Sequence, residues 1–76
     1  MTTDRTEKLV RMANQIGDFY AVMPESEATE GAARHLKRYW TPKMIRELVA
    51  FAEARGEGLN PTAARAVETL KSAAHT

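Results

Sequence analysis

The sequence predicts an all-α fold, a small bundle of three to four short helices in one domain. Three observations carry that reading. Apolar residues recur at three- and four-residue steps in successive stretches, the spacing of one-sided helices. Two cap-plus-proline pairs, Thr41-Pro42 and Asn60-Pro61, mark helix starts. The polar side chain accepts hydrogen bonds from the free N–H groups of the new helix, and a proline in the first turn needs no donor. Gly56 stands where a helix would stop in the left-handed conformation. The stretch from Leu36 to Pro42 organises the rest, because it holds the single tryptophan, Trp40, where one helix ends and the next begins.

The first helix opens at Asp4, with Glu7 three residues on as in a capping box. Leu9, Met12, Ala13, Ile16, Phe19, Tyr20 and Met23 fill a stripe about 120° wide, while Lys8, Arg11, Gln15 and Asp18 fall elsewhere on the wheel. Pro24 ends this helix or begins the turn. A second face holds Val10, Asn14, Gly17 and Ala21. A mid-helix glycine costs about 1 kcal/mol relative to alanine. Gly17 therefore points to the close approach of another backbone, either a helix of the same chain or another subunit.

Ser26 is the expected N-cap of the second helix, with Glu25 and Glu27 suited to the positive end of its dipole. Ala28, Ala32, His35, Leu36, Tyr39 and Trp40 share its inner side. Arg34, Lys37 and Arg38 take the other side near the C-terminus, where cations are favoured. Gly31 weakens this helix, so packing must hold it. Pro42 disfavours helical backbone at Thr41, which stops the helix near Trp40.

The third helix runs from Thr41-Pro42 to about Arg55. Met44, Ile45, Leu48, Val49, Phe51 and Ala52 span roughly 160° of its wheel, wider than a minimal stripe. It is either central in the bundle or core on one edge and docking surface on the other. Gly56-Glu57-Gly58-Leu59 reads as a loop. It lacks the preceding strand, the third glycine and the lysine of phosphate-binding motifs. Leu59 is expected to fold back as a staple on the fourth helix. That helix carries Ala63, Ala66, Val67, Leu70 and Ala74, only two of them large after the alanines, and is expected to be the weakest. Fraying beyond Lys71 would leave about 4–71 as the ordered part of a single domain, 1–76.

A chain of 76 residues limits the protein to one domain. Such a domain buries only about 60% of its unfolded surface and often needs a disulfide, a metal or a partner. The sequence has no cysteine, and His35 and His75 lie too far apart to form a ligand pair. A disulfide and thiolate metal sites are excluded, which leaves a partner subunit as the remaining staple, although many domains of this size fold alone. A net charge of +1 argues neither for nucleic acid nor for an anionic membrane. No apolar run approaches the roughly 20 residues of a membrane span. The opening Met1-Thr2-Thr3-Asp4 lacks a secretory pattern, so a cytoplasmic location is expected.

No catalytic constellation stands out. His35 on an apolar face is a hydrogen-bonded packing residue by default, and nothing signals a nucleophile or carboxylate fixed beside it. Met12, Met23 and Met44 read as core filler, with adaptable contact surface as the alternative. Arg34, Lys37, Arg38, Lys43 and Arg46 form the one basic concentration, with Tyr39 and Trp40 interleaved. Three readings fit it: a solvated edge, a dock for an acidic protein, or a single-stranded nucleic-acid surface.

Three stretches together resemble one family. They are Leu9-Val10-Arg11-Met12-Ala13-Asn14-Gln15-Ile16-Gly17-Asp18-Phe19-Tyr20, His35-Leu36-Lys37-Arg38-Tyr39-Trp40-Thr41-Pro42-Lys43-Met44 and Gly58-Leu59-Asn60-Pro61. Their order and spacing resemble the delta subunit of cytoplasmic, NAD-dependent, molybdenum- or tungsten-containing formate dehydrogenases, over roughly Lys8 to Leu70. Tyr39, Thr41, Lys43 and Asn60 depart from common family residues but keep aromatic, capping and cationic character.

The resemblance implies a non-catalytic accessory subunit with no cofactor of its own. The catalytic alpha subunit would carry bis-molybdopterin guanine dinucleotide and iron–sulfur clusters. Beta and gamma subunits would carry FMN and further clusters, passing electrons to NAD. The delta subunit would serve assembly or stability of the complex and its competence with the molybdenum cofactor. Expected partner contacts are Arg11, Asn14, Gln15 and Gly17 on the first helix and His35, Arg38, Trp40, Lys43 and Met44 at the corner. The isolated chain could self-associate through the same surface. The alternative from another class is a small helical nucleic-acid-binding regulator using the basic edge.

Overall fold

The computed structural model describes residues 4–54 and 58–74. Over these the chain forms four helices: α1 Asp4–Tyr20, α2 Glu25–Tyr39, α3 Pro42–Ala54 and α4 Pro61–Ala74. The Asp4 cap and the Gly56 stop fall outside the described side chains and residues. Both cap-plus-proline starts are present. The Met44 N–H donates to Thr41 Oγ1 at 3.2 Å, and the Ala63 N–H donates to Asn60 Oδ1 at 2.8 Å. Trp40 ends α2 in extended conformation, φ −92° and ψ 147°, while its N–H still reaches Leu36 O at 2.9 Å.

The start of α2 corrects one expectation. Ser26 is not its N-cap. Pro24, at φ −54° and ψ 148°, precedes the first helical residue, and its carbonyl accepts the Ala28 N–H at 2.9 Å. The proline ring holds φ near the helical value, so the chain enters α2 at Glu25 and Ser26 already lies in the first turn. The expected stripe of α1 also overruns. The helix ends at Tyr20, and Met23, after a turn closed by its N–H on Tyr20 O, lies outside it. Phe19 is 69% exposed and Met23 41% exposed. The core lies on the side of Leu9 and Ala13, and Phe19 sits on the outer edge of the stripe. Tyr39, placed inward by its register, is 66% exposed because α2 ends there, with no further turn to cover it.

The largest correction concerns α4. It is the hub of the bundle and makes its most extensive interface with α2, then with α1 and α3. Ala63, Ala66, Val67 and Leu70 are all buried. Its small side chains let neighbouring backbones come close, so few large residues suffice to fill the space. Ala28, Ala32, Ala33 and Leu36 of α2 enter the same core, with Leu9, Ala13, Trp40 and Leu48. By contrast α3 is not central. Only Leu48 is fully buried on it, while Met44, Ile45, Val49 and Ala52 are half-buried against the cluster. Leu59 also packs there, ahead of α4. The helix α4 continues to Ala74, past Lys71.

The α1–α4 junction explains Gly17. Asn60 caps α4 with its Oδ1 and gives its backbone N–H to Asn14 Oδ1 at 2.8 Å. Asn60 Nδ2 donates to Asn14 O and to Asp18 Oδ1, each at 3.0 Å. Asn14 Nδ2 donates to Gly58 O at 2.6 Å, where Gly58 holds φ +94°. A Cβ on Gly17 would collide with Asn60 Oδ1 and lie 3.1 Å from the Ala63 backbone nitrogen. The close approach read from Gly17 is therefore made by a helix of the same chain. Gly31 has a similar reason, since a Cβ there would lie 2.6 Å from Tyr20 Cε1.

Among the described residues, three ion pairs lace the helices: Arg5–Glu47 at 2.7 Å, Lys71–Glu53 at 3.5 Å and Arg65–Glu25 at 3.6 Å. Arg65 Nε also donates to Thr29 Oγ1 at 3.0 Å, tying α4 to the first turns of α2. The Arg5 hydrogen bond holds the Glu47 carboxyl below its ordinary value. Partial desolvation opposes it, and the charges of Arg5, Lys43 and Arg46 assist. The same hydrogen bond raises Arg5.

Two outcomes follow for stability. Gly17→Ala gains about 1 kcal/mol of helix propensity but displaces a cap worth about 1 kcal/mol together with the bonds around it. The net loss is about 1–2 kcal/mol, a fall in Tm of roughly 4–16 °C by thermal denaturation. An unchanged or raised Tm would show that the junction is loose. For Glu47, the folded state binds the proton less readily than the unfolded chain. The contribution of the pair is thus present above the ordinary carboxylate range and disappears as pH falls through the folded value. Glu47→Gln lowers Tm slightly at neutral pH, as an exposed pair requires. The difference from the parent closes in acid, and a constant offset across pH would exclude the pair as its source.

Candidate docking surface

Helices α1 and α2 are joined by a short turn and run in opposite directions. Tyr20 lies over Gly31 near the turn, while Met12 and Trp40 line the far end of one hollow. That hollow is an open groove of about 360 Å³, walled by Met12, Gln15, Ile16, Phe19 and Tyr20 from α1 and by His35 and Trp40 from α2 and its corner. Trp40 is its buried floor, 7% exposed, whereas Phe19 stands out on the outer wall.

Aromatic rings run in sequence across the groove. Phe19 meets Tyr20 edge to face, with centroids 5.1 Å apart. Tyr20 meets His35 at 6.2 Å, and His35 meets Tyr39 at 4.7 Å with the planes tilted by 45°. Edge-to-face contacts of this kind hold rings in defined orientations. Gly31 makes the array possible, because only a residue without a Cβ leaves room for the Tyr20 ring against α2. At the groove's end Arg38 stands 5.8 Å from the Tyr39 ring centroid, a cation–π contact on exposed surface.

The expected contact residues separate into two groups. Gly17 is buried and Asn14 is engaged at the α4 junction. Trp40 belongs to the core, although its edge reaches the groove. Gln15 and His35 line the groove, Arg38 stands beside it, Arg11 and Lys43 are exposed, and Met44 is half-buried against the core. The groove walls Phe19 and Tyr20 and the exposed Tyr39 were not among the expected contacts. One signal was available. Phe19, Tyr20, Val22 and Met23 crowd four large apolar residues just before Pro24, more than a turn can hide, and Val22 is 87% exposed.

A second, smaller hollow of about 210 Å³ lies between α3 and α4, lined by Val49, Ala52, Leu59 and Val67. Glu53 and Lys71 on its rim pair with each other, and Glu68 also lines it. No group of three or more metal-ligating side chains comes together among the described residues. No helix there is long and apolar enough to cross a membrane.

Groove wall and groove floor should differ sharply in stability. Phe19→Ser, on exposed surface, changes unfolding free energy by about 0.5 kcal/mol or less. Trp40→Ala empties the floor and costs about 3–5 kcal/mol. Chemical denaturation of the two variants checks this, and similar losses would mean that Phe19 belongs to the core.

Comparison with known families matches residues 8–67 to the family described as NADH-dependant formate dehydrogenase delta subunit FdsD. The match covers most of the 76-residue chain, and the chain belongs to that family. No individual curated protein and no solved structure matches it.

Proposed function

We propose that this member of the formate dehydrogenase delta subunit family is a non-catalytic accessory subunit. It docks on the catalytic alpha subunit of a cytoplasmic complex and supports assembly, stability or competence with the molybdenum cofactor. One observation carries the reading beyond the family. After the core is complete, Phe19, Val22, Met23 and Tyr39 remain exposed, beside a groove walled largely by apolar and aromatic side chains. A contiguous apolar surface on so small a protein marks an interaction site.

In this reading Arg11, Gln15, His35, Arg38, Lys43 and Met44 provide contacts, joined by Phe19 and Tyr39. Asn14, Gly17 and Trp40 hold the scaffold beneath them. The iron–sulfur clusters belong to the neighbouring subunits, because a chain without cysteine has no thiolates to hold one.

Producing the catalytic subunit with and without this chain tests the proposal. Without it, the complex dissociates more readily or the catalytic subunit contains less molybdenum; with it, the chain co-purifies. Equal molybdenum content, equal complex size and no co-purification would refute the reading.

A nucleic-acid-binding regulator is the second reading, favoured by exposed Tyr39 beside Arg38. It requires retention on single-stranded nucleic acid that weakens steeply with salt. Flow-through at low salt eliminates it.

A further inference from the structure

We infer that the α1–α2 groove receives an amphipathic helical segment of the partner subunit, with a bulky apolar anchor flanked by carboxylates. The inference rests on the accessory-subunit reading and adds the chemistry of what is bound.

Shape supplies the first argument. The groove is an open trough between two helices, with aromatic and aliphatic walls and only Gln15 and His35 as polar members. A helix laid along such a trough inserts side chains spaced three or four residues apart. The recessed floor at Trp40 accepts the tip of a large side chain, while protruding Phe19 and Tyr39 flank the segment's sides.

Charge supplies the second. From Gly31 to Arg46 the sequence has five lysines and arginines and no carboxylate. Arg34 and Arg38 lie within a turn of His35 on α2, and Lys8 and Arg11 precede Met12 and Gln15 by one turn on α1. Among the described residues, Arg11, Arg34, Arg38 and Lys43 make no ion pair, whereas Arg5, Arg65 and Lys71 are paired. Glu7, Glu30 and Glu47 lie one turn from Arg11, Arg34 and Lys43 and offset them in part, whereas Lys37 and Arg38 have no counter-charge one turn away on their own helix. Acidic side chains on a partner would supply it and steer its approach. Glu30 lies one turn and Glu27 two turns before Arg34, toward the α1–α2 turn, and no carboxylate follows them on α2. The partner's carboxylates therefore belong at the Trp40 end.

The same asymmetry disfavours a second copy of this chain. A two-fold interface through the groove brings like-charged rims together, and like charges across an interface oppose association. Burial, and not charge, disfavours nucleic acid in the groove, because a buried Trp40 floor offers no flat platform for stacked bases.

Titration of the complex purified without this chain against the isolated chain tests the inference. The parent chain binds, with affinity falling as salt rises. Phe19→Ala weakens binding about tenfold, as loss of an interface anchor does. Arg11→Glu with Arg38→Glu weakens it at least as much and flattens the salt dependence, while Arg11→Lys with Arg38→Lys keeps most of it. Glu68→Arg, beside the α3–α4 hollow, binds like the parent. Circular dichroism confirms that each variant is folded. A photo-crosslinker at Phe19 identifies the bound segment independently, and the expected peptide is amphipathic and carboxylate-rich.

The outcomes separate the two readings. If the parent chain does not bind the complex, the accessory reading itself fails. If it binds and the groove variants bind equally well, the groove inference is overturned and the accessory reading survives. Loss with Phe19→Ala but not with charge reversal overturns the acidic partner. Self-association of the isolated chain abolished by the groove variants, seen by sedimentation, overturns the partner helix in favour of a second copy.

Discussion

The junction of Asn60 with Asn14 and Gly17 is the constraint on which the rest of the structure depends. One side chain caps α4 and binds the backbone and side chains of α1. The short polar asparagine can do both because its oxygen accepts from the helix start while its amide donates elsewhere. The arrangement fixes where α4 begins and how closely it approaches α1. It also aligns Ala63, Ala66, Val67 and Leu70 with the core. Without the glycine at position 17 the Asn60 side chain could not keep its place between the two helices.

Because α4 is narrow and central, the bundle closes with few large side chains. The radius of gyration, 11.2 Å, agrees with the about 11 Å expected of a self-contained domain of this length. No buried side-chain polar atom lacks a partner among the described residues. Such a core needs nothing more from outside to be enclosed. The apolar residues left over are consequently gathered on one side, at the end of α1, the following turn and the end of α2. Phe19 among them walls a groove, which makes its exposure a feature of the surface and not a defect of the core.

Much of the candidate site was legible as residue chemistry, and little of it as geometry. The basic stretch from Arg34 to Arg46 is visible in the chain, as is the corner at Trp40. Gly17 announced a close approach without saying to what, because a missing Cβ carries no information about the neighbour that uses the space. Gly31 announced weakness, and only the Tyr20 ring lying against it shows why. Phe19 was misread as core because wheel periodicity records a direction around one helix. It cannot tell where neighbouring helices stop covering that direction.

By itself the sequence determined an all-α chain, its helix starts, its lack of thiolate chemistry and its family. These follow from local rules: side-chain caps, proline's fixed φ, the 3.6-residue period and the order of short motifs. Tertiary structure alone decided that alanine-rich α4 is the hub, that Asn14 and Gly17 serve the fold, and that Tyr39 faces outward beside the groove. Each of those facts depends on distances between residues far apart in the chain. Such distances arise from packing many small and large side chains together, and no local pattern encodes them.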